Sequence, residues 1–541
     1  MSRTEIEIQG MTCEDCASHV RGALEKAGAR DVQIDWRAGR GTIAADGPGQ
    51  LEMNAALAGS RYRVARVSGA SEEGSAAAGL SGEPAEQQAG RRDYELLVLG
   101  SGSAAFAAAI RARDLGHSVA LVEQGTIGGT CVNIGCVPSK SLLVSSERSD
   151  GAPGALARAI ALKSSLVERL RKEKYIDLLE QHGIELRPGT ARLLDAHAVQ
   201  VDGKEISADF ILIATGAHPA VPPIAGLQET GYLTSTGALE LDEPPRRLAV
   251  IGANAVGLEL GQMLGSFGSQ VTFIDLVRVA PFEEPEVSEL MREVLQEAGH
   301  TVIEGAATER VRREGQEKVI EGSAGGERFE VRAEEILVAT SRIPNSAGLG
   351  LAEVGVQTDS RGAVIVDERQ RTSVPSIYAA GDVTNQPQFV YVAAAGGAAA
   401  AQNALQAGAQ SLDFSSLPRI IFTTPQVASA GLTESRAREQ GFEVQTSVLP
   451  LEAVPRALVN GQRRGLFKLV AESGTGRLLG ASIVAEGAGD VIYSAVLAIR
   501  QGMTIEELSS AWAPYLTMAE GLKLAAQTFG RDVSKLSCCA A

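Results

Sequence analysis

Two glycine-rich turns occur in this chain, each between a run of apolar residues that predicts a buried strand and a segment that predicts a helix. The interval from Gly100 to Glu123 equals the interval from Gly252 to Asp275. The other small residues of these turns are Gly102, Ala105 and Gly257. In such a βαβ unit the glycines bring a pyrophosphate to the helix N-terminus, and the acid accepts the ribose hydroxyls. Two copies therefore predict an α/β protein with two bound nucleotides.

The second copy differs from the first at its middle position, where Asn254 replaces glycine. With a side chain at this position, the sequence does not decide whether a pyrophosphate can approach the backbone of this turn closely. Asp275 would bind the free 2′-hydroxyl of NADH, whereas Arg278, three residues further on, suits the 2′-phosphate of NADPH. The sequence favours NADH here without excluding NADPH.

The six cysteines form three close pairs: Cys13 with Cys16, Cys131 with Cys136, and Cys538 with Cys539. The middle pair follows the first βαβ unit, where the chain should enter a helix whose N-terminal dipole stabilises a thiolate. This position predicts a redox-active dithiol. A structural disulfide is the first alternative, but the chain has the character of a cytoplasmic protein. A zinc site is the second, but no further cysteine pair or histidine lies at ligand spacing nearby.

Residues 1–68 predict a small α+β domain. Strands are expected at 5–8, 32–35, 41–44 and 61–67, with helices at 17–27 and 50–58. The order βαββαβ is ferredoxin-like. The loop with Cys13 and Cys16 resembles the heavy-metal-associated domain of soft-metal chaperones and transporters, because two thiolates at this spacing hold a soft ion. A thioredoxin-like motif is the alternative, but that fold normally places its cysteines after a longer strand.

Composition limits the partners of this chain. A chain of 541 residues is too long to fold around a single hydrophobic core, so several domains are expected. The net charge of −16 argues against nucleic acid and anionic membranes as general partners. The N-terminus has no apolar leader, and no tract is long and apolar enough for stable membrane insertion. These observations predict a cytoplasmic protein.

From Asp93 onward the chain resembles the FAD-dependent pyridine nucleotide-disulfide oxidoreductases, the family of glutathione reductase and dihydrolipoamide dehydrogenase. The matching motifs are the two glycine-rich turns, the cysteine motif ending in Pro138-Ser139-Lys140, the segment 213–216 and the segment 377–382. The resemblance implies two Rossmann-like domains and an α+β interface domain that forms a homodimer. The implied organisation is 1–68 heavy-metal-associated domain, 69–91 flexible linker, 92–241 and 372–414 FAD-binding domain, 242–371 NAD(P)-binding domain, and 415–541 interface domain.

The resemblance also implies roles for single residues. Asp382 would bind the ribityl chain of FAD, and Lys140 would pair with Glu259 near flavin N5. The remaining cofactor contacts implied by motif position are Gly100, Gly102, Ala105, Glu123, Gly129, Thr130, Thr215, Gly216, Gly252, Gly257, Asp275 and Gly381.

The C-terminal segment departs from the disulfide-reducing members of the family. Those enzymes carry a His-Pro pair before a glutamate, and alignment on Glu520 puts Tyr515 in place of the histidine. A phenol with a pKa of about 10 protonates a thiolate leaving group poorly near neutral pH. Tyr515, the terminal cysteine pair and Tyr175 resemble the mercuric reductases instead. The alternatives are an incidental exposed cysteine pair and tyrosines that only pack at an interface.

By resemblance to the mercuric reductases, NAD(P)H would reduce FAD, which would open the Cys131–Cys136 disulfide. Cys136 would lie against the flavin and Cys131 would exchange thiols. Hg(II), delivered by a mercury transporter or small thiols, would then pass between the cysteine pairs and be reduced to Hg(0). The order of transfer implied is Cys13 and Cys16, then Cys538 and Cys539 of the partner subunit, then Cys131 and Cys136, with Tyr175 and Tyr515 flanking the metal.

Two other functions remain open at this point. A lipoamide or glutathione-type disulfide reductase would share most of the motifs, although Tyr515 and the terminal cysteines disfavour it. A metal-sequestering or delivery protein would account for the domain that carries Cys13 and Cys16. Two complete nucleotide-binding units, however, favour an enzyme that catalyses repeated turnovers.

Overall fold

A computed structural model describes the chain at residues 3–9, 14–35, 38, 40–44, 48, 53, 56–57, 62–68, 92–149 and 152–530. The chain divides into two compact units, residues 1–89 and residues 90–541.

The small unit contains a four-stranded antiparallel sheet. Its strands are β1 (Arg3–Gln9), β2 (Gln33–Asp35), β3 (Arg40–Ala44) and β4 (Arg63–Ser68). The sheet order β2-β3-β1-β4 is the predicted ferredoxin-like order. Helix α1 (Glu14–Lys26) buries Val20 and Leu24 against the sheet. It begins three residues before the predicted start at Ala17, so that Cys16 lies in the helix and not in the loop. Most of the predicted helix 50–58 lies outside the described residues.

The strands and helices of the larger unit follow in chain order. The strands are β5 (Tyr94–Leu99), β6 (Val119–Glu123), β7 (Glu185–Pro188), β8 (Ala191–Leu193), β9 (Ala198–Val201), β10 (Lys204–Ile213), β11 (Ala217–Ala220), β12 (Arg247–Ile251), β13 (Gln270–Ile274), β14 (Thr301–Ile303), β15 (Ala306–Glu314), β16 (Glu317–Ala324), β17 (Glu327–Ala333), β18 (Glu335–Val338), β19 (Ser341–Pro344), β20 (Ile377–Ala379), β21 (Pro418–Ile421), β22 (Gln426–Gly431), β23 (Val444–Pro450), β24 (Leu466–Glu472) and β25 (Leu478–Ala485). The helices are α2 (Ser103–Asp114), α3 (Gly129–Ile134), α4 (Cys136–Glu147), α5 (Ala155–Arg171), α6 (Asp177–His182), α7 (Leu227–Thr230), α8 (Ser235–Ala238), α9 (Ala255–Ser266), α10 (Pro285–Glu297), α11 (Val390–Gln406), α12 (Glu434–Glu439), α13 (Pro455–Val459), α14 (Ala488–Arg500), α15 (Ile505–Ser510) and α16 (Glu520–Gln527), with a π-helical turn at Lys172–Ile176 and a 3₁₀ turn at Leu451–Ala453.

The first nucleotide module is built on a sheet with the order β7-β6-β5-β10-β9-β8. Strands β7, β6, β5 and β10 are parallel, and β20 pairs with β10 in the same direction. The chain therefore returns to this sheet after residue 371, as the family resemblance implies. Helices α2 and α11 pack closely because their contact residues are small. A Cβ atom on Gly397 would lie 2.0 Å from the carbonyl oxygen of Ala104, which explains the alanine and glycine content of α11.

The second nucleotide module contains the parallel sheet β14-β13-β12-β18. Helix α9 packs tightly on it, because a Cβ atom on Gly261 would lie 2.5 Å from the Phe273 ring. A three-stranded antiparallel sheet, β15-β16-β17, precedes β18 in the chain. The sequence pattern did not predict this insertion.

The third module is the antiparallel sheet β21-β22-β25-β24-β23, on which α14 and α16 pack through apolar side chains. Its β24 carries Lys468, whose side chain is only 2% exposed. The Lys468 ammonium lies 3.1 Å from Glu284 and 2.8 Å from Glu286, both near the start of α10 in the second module. Breaking such a buried cluster leaves charges unpaired, so the cluster fixes the third module on the second.

Among the helices that the structure describes, none combines the length and apolar composition that a bilayer span requires.

Candidate active site

The first glycine-rich turn connects β5 to α2 in the way the sequence predicts. Gly100 has φ +117°, and a Cβ atom there would lie 2.3 Å from the carbonyl oxygen of Ala214, so this position requires glycine. Glu123, at the end of β6, accepts hydrogen bonds from the Ser101 hydroxyl at 2.6 Å and from the Gly125 N–H at 2.7 Å. The acid therefore lies beside the turn, where it can meet a ribose.

Two glycines in this region serve different purposes. Gly129 has φ +64°, and a Cβ atom there would lie 2.6 Å from the Cα atom of Gly102, so the protein's own packing requires glycine. A Cβ atom on Gly102 would find its nearest protein atom 3.9 Å away. Gly102 thus borders space at the N-terminus of α2, which no side chain caps. These features fit the pyrophosphate of FAD.

Substitution of the two glycines should separate cofactor binding from folding. Gly102→Ala is expected to leave the free energy of unfolding of the apoprotein within about 0.5 kcal/mol, while the added methyl group lowers FAD content strongly. Gly129→Ala should destabilise the apoprotein itself by about 1–3 kcal/mol, because backbone atoms must move and φ is positive. Flavin absorbance per chain and denaturant unfolding of the apoprotein measure the two effects. Equal FAD content in Gly102→Ala and the unsubstituted protein would contradict this account.

A cavity beside this turn is lined by residues from both nucleotide modules. The sequence-predicted residues that line it are Gly102, Thr130, Cys131, Cys136, Lys140, Gly216, Glu259, Gly381 and Asp382. Thr215 lies next to it, but its hydroxyl donates to the carbonyl oxygen of Asn345 at 2.7 Å. Ala105 is fully buried on α2 and contributes to the core instead.

The two cysteines lie at the starts of consecutive short helices on the cavity wall. Cys131 is in the first turn of α3 and Cys136 is the first residue of α4, and both are free thiols. Gly135 separates the helices, and a Cβ atom there would lie 2.8 Å from the carbonyl oxygen of Thr130. The chain can therefore fold back and bring the thiols together at two helix N-termini, where thiolates are stabilised.

The two thiols differ in acidity. A hydrogen bond from Cys131 lowers the pKa of Cys136 to about 6, and the nearby Lys140 charge acts in the same direction, against the effect of burial. The same interaction and burial raise the pKa of Cys131. Cys136 is thus the thiolate near neutral pH, and Cys131 is the thiol that donates to it.

This asymmetry predicts a pH dependence in the reduced protein. Alkylation of Cys136 by iodoacetamide should fall about tenfold per pH unit below a midpoint near 6, because only the thiolate reacts. In Cys131→Ala the midpoint should move up toward the ordinary thiol value, since the main stabilising hydrogen bond is lost. Peptide mass spectrometry over a pH series gives the midpoint at Cys136. An unchanged midpoint in Cys131→Ala would show that Cys131 does not stabilise the thiolate.

An ion pair crosses the cavity between the two nucleotide modules. The Lys140 ammonium on α4 lies 2.6 Å from Glu259 on α9 and 4.5 Å from the ring centre of Phe422. The second carboxylate oxygen of Glu259 accepts the Phe422 N–H at 3.0 Å, and the side chain is 7% exposed. Helix α9, which the second glycine-rich turn begins, therefore holds a cation next to Cys136.

Asp382 lies on the cavity opposite the dithiol helices, where burial raises its pKa and the Arg342 guanidinium 3.5 Å away opposes this shift. Gln388 donates to the carbonyl oxygen of Asp382 at 3.1 Å. Arg342 and Gln388 line the cavity, but the sequence analysis did not single them out. Arg342 is placed by the pairing of β19 with β11, and Gln388 follows β20, so both depend on contacts between distant segments.

The second glycine-rich turn has the same backbone course as the first. Gly252 has φ +103°, and a Cβ atom on Gly257 would lie 1.9 Å from the carbonyl oxygen of Gly252. Asn254 has φ −109° and ψ −170°, close to the −79° and −169° of Gly102. This extended backbone suits any residue, so the missing glycine does not distort the turn, and the Asn254 side chain does not cap α9. Asp275 accepts the Ala253 N–H at 2.7 Å, which places its carboxylate beside the turn.

Comparisons with known proteins agree with this geometry. Residues 94–397 match the pyridine nucleotide-disulphide oxidoreductase family, and residues 417–526 match its dimerisation domain. A mercuric reductase of Staphylococcus aureus is 47% identical over 99% of both chains, and one of Streptomyces lividans is 49% identical over 83% of this chain and 98% of its own. The chain belongs to the mercuric reductases of this family. Among solved structures, the HOCl-induced flavoprotein disulfide reductase RclA of Escherichia coli, as its Cu(II) complex, has a TM-score of 0.75 and 30% identity, covering 81% of this chain and 100% of that one.

In this mercuric reductase chain, Tyr175 reaches the site through a π-helical turn. The turn at Lys172–Ile176 interrupts the helix between α5 and α6. The Tyr175 ring packs edge-on against Phe106, with centroids 4.8 Å apart. Burial has the largest effect on Tyr175 and raises its pKa, and the charge of Cys131 raises it further. A hydrogen bond with Ser103 lowers this pKa and partly offsets the increase. The phenol is therefore protonated and close to the dithiol.

Other residues predicted for a mercuric reductase are not brought into this cavity. Tyr515 is 62% exposed in the segment between α15 and α16 and does not line the cavity of its own chain. Cys13, Cys538 and Cys539 lie outside the described residues, and the side chain of Cys16 is not described. Within the described part, no three or more His, Cys, Asp or Glu side chains group in a way that could hold a metal ion.

Proposed function

We propose that this protein reduces thiol-bound Hg(II) to Hg(0) with NADH or NADPH, in mercury detoxification. The observation that carries the proposal is the free dithiol at the cavity wall, with Cys136 as thiolate beside Lys140. Relatives named mercuric reductase, at 41–49% identity, support it. The reaction balances as NAD(P)H, one proton and Hg(II) bound by two thiolates giving NAD(P)⁺, Hg(0) and two free thiols.

The geometry and the family resemblance together support an assignment of the residues that would hold FAD. The turn at Gly100 and Gly102 and the start of α2 would bind the pyrophosphate, Glu123 a ribose, and Asp382 the ribityl chain. Bound FAD supplies two-electron transfer from the nicotinamide to the dithiol and the metal. Lys140 would lie at the flavin edge, fixed there by Glu259.

The dithiol would bind the metal by thiolate exchange. The Cys136 thiolate is a soft ligand for Hg(II), and Cys131, the exchanging thiol that the resemblance implies, supplies the second sulfur as a small thiol leaves the metal. The pKa of Cys131 is raised, so its proton must pass to the small thiolate that leaves. Tyr175 would flank the metal, because both thiols act on its pKa.

The other cysteine pairs would form a relay within a homodimer. The dimerisation domain matched at residues 417–526 supports that assembly. Cys538 and Cys539 of the partner subunit would pass Hg(II) to Cys131 and Cys136, beside Tyr515. The pair Cys13 and Cys16, in the domain before the linker at 69–91, would deliver Hg(II) to the relay. A tether raises the effective concentration of such a donor.

The relay predicts a loss of catalytic efficiency when the terminal cysteine pair is removed. Replacing both Cys538 and Cys539 by alanine is expected to lower kcat/KM for thiol-bound Hg(II) about 100-fold, because exchange becomes bimolecular. Anaerobic flavin reduction by NAD(P)H should keep its rate, since these residues do not contact the coenzyme in this mechanism. Stopped-flow absorbance measures both steps in one preparation. Unchanged turnover would remove the terminal pair from the mechanism.

The proposal includes a cellular compartment and a source of Hg(II). The protein would act in the cytoplasm, where reducing conditions keep its cysteine pairs as thiols between turnovers. A mercury transporter or small cellular thiols would deliver Hg(II) to it.

One experiment tests the proposed function against its main alternative. NAD(P)H oxidation by purified protein is compared with Hg(II) in excess thiol, with oxidised glutathione and with lipoamide. We expect turnover with Hg(II) and little with either disulfide, because Tyr515 replaces the acid-base histidine of the disulfide reductases. Faster turnover with a disulfide would overturn the proposal.

A further inference from the structure

We infer that the second nucleotide module selects NADH over NADPH, through Asp275 and the absence of a free cation in the turn that follows it. The inference rests on the proposed function, in which this module holds the coenzyme. The two coenzymes differ only by the 2′-phosphate, so the groups around the adenosine ribose decide between them.

Asp275 is fixed at the position where that ribose would lie. One carboxylate oxygen accepts the Ala253 N–H at 2.7 Å, and the other accepts the Val277 N–H at 2.8 Å. These hydrogen bonds hold the carboxylate between the glycine-rich turn and the end of β13. It can accept a hydrogen bond from a 2′-hydroxyl through its remaining lone pairs, but it repels a phosphate dianion.

The two arginines described near this turn each contact a protein acceptor, and the Nε of Arg278, which has no hydrogen-bond partner, is buried and does not face solvent. Arg278 donates to the carbonyl oxygen of Glu283 at 2.9 Å, which turns its guanidinium toward the start of α10. Arg292 lies 3.3 Å from Glu289 and 3.7 Å from Glu304. The expectation that Arg278 could serve a 2′-phosphate therefore has no support in its contacts.

Glu304 adds a second carboxylate to the same turn. Its carboxylate accepts the N–H of Val279 at 2.8 Å, and Val279 is the fourth residue after Asp275. Leu276 and Val277, which follow Asp275 directly, are 70% and 60% exposed and apolar. The turn after Asp275 thus combines two apolar side chains with two carboxylates, of which Glu304 is paired with Arg292, and this environment suits a neutral 2′-hydroxyl better than a phosphate.

The test measures binding, so that it does not depend on catalysis. Dissociation constants of NAD⁺, NADP⁺, 5′-AMP and 2′,5′-ADP are obtained by calorimetry on the FAD-loaded protein without mercury. We expect NAD⁺ and 5′-AMP to bind about tenfold or more tighter than their 2′-phosphorylated counterparts. Equal or tighter binding of the phosphorylated ligands would overturn the inference and leave the proposed function intact. Failure of all four ligands to bind would overturn the proposed function itself.

A substitution at the rim provides the second arm. Leu276→Arg places a guanidinium beside the ribose site at a position with little packing to lose, and it should tighten NADP⁺ binding about tenfold while changing NAD⁺ binding little. Leu162→Arg is the matched control, because Leu162 is 66% exposed on α5, in the first module. Equal NADP⁺ affinity in Leu276→Arg and Leu162→Arg would show that the missing cation does not set the preference.

Discussion

Replacing Cys136 by serine is expected to lower kcat/KM for Hg(II) at least about 10³-fold, because the residue supplies both the thiolate that binds the metal and the sulfur next to the flavin. A hydroxyl has too high a pKa to replace a thiolate of pKa about 6 and is a hard ligand for a soft ion. Coenzyme binding should be unchanged, since Cys136 lies in α4, in a different module from Asp275. Steady-state kinetics and calorimetric coenzyme titration measure the two properties.

Ser145→Ala is the matched control for this substitution. Ser145 lies on the same helix, and its hydroxyl donates only to the carbonyl oxygen of Ser141, at 2.9 Å. We expect this variant to keep its activity within about twofold, since a surface change of this kind has little effect. Comparable losses in Ser145→Ala and Cys136→Ser would mean that disturbance of α4, and not the thiolate, causes the effect.

Next to the main effect of the Cys131 hydrogen bond, the ion pair of Lys140 with Glu259 is expected to adjust the pKa of Cys136, and removal of the two partners should act in opposite directions. Lys140→Met should raise the pKa of Cys136, because the Lys140 charge lowers it. Glu259→Gln should lower this pKa further, because the Glu259 charge raises it, and the glutamine can still accept the Phe422 N–H. Thiolate absorbance of the reduced protein over a pH series gives both values.

Lys140→Met carries a further expected effect on stability. The Glu259 carboxylate is 7% exposed and would lose its charged partner, so the free energy of unfolding should fall by about 2 kcal/mol. Glu259→Gln leaves Lys140, which is 33% exposed, in reach of water, and should cost less. Denaturant unfolding compares the two. Shifts of the Cys136 pKa in the same direction in both variants would contradict the assigned electrostatics.

The features of this fold that the sequence predicts well are those encoded by neighbouring residues. The strand, turn and helix around Gly100 and Gly252 follow from local patterns, and the spacing correctly puts Glu123 at the end of β6 and Asp275 directly after β13. The ferredoxin-like strand order of the small unit follows from six short elements in sequence. The dithiol at a helix start also follows from its glycines and its position after the first βαβ unit.

The features that the sequence does not predict depend on contacts between distant segments. Arg342 meets Asp382 only because β20 joins the first sheet, and Arg278 turns to Glu283 only because α10 begins there. The π-helical turn that carries Tyr175 has no sequence signal, because its residues Lys172, Glu173 and Lys174 also suit an ordinary helix. The pairing of Lys140 with Glu259 came from family resemblance, since their charges alone would predict exposed surface residues.

The most direct test of mercury reduction by this dithiol is the stoichiometry of the reaction. Purified protein is supplied with NADH, Hg(II) and excess thiol under anaerobic conditions, and Hg(0) vapour is measured together with NADH consumed. The account predicts one Hg(0) released for each NADH oxidised, and neither process in Cys136→Ser. NADH oxidation without Hg(0), or Hg(0) release in which the added thiol is oxidised to a disulfide in place of NADH, would contradict it.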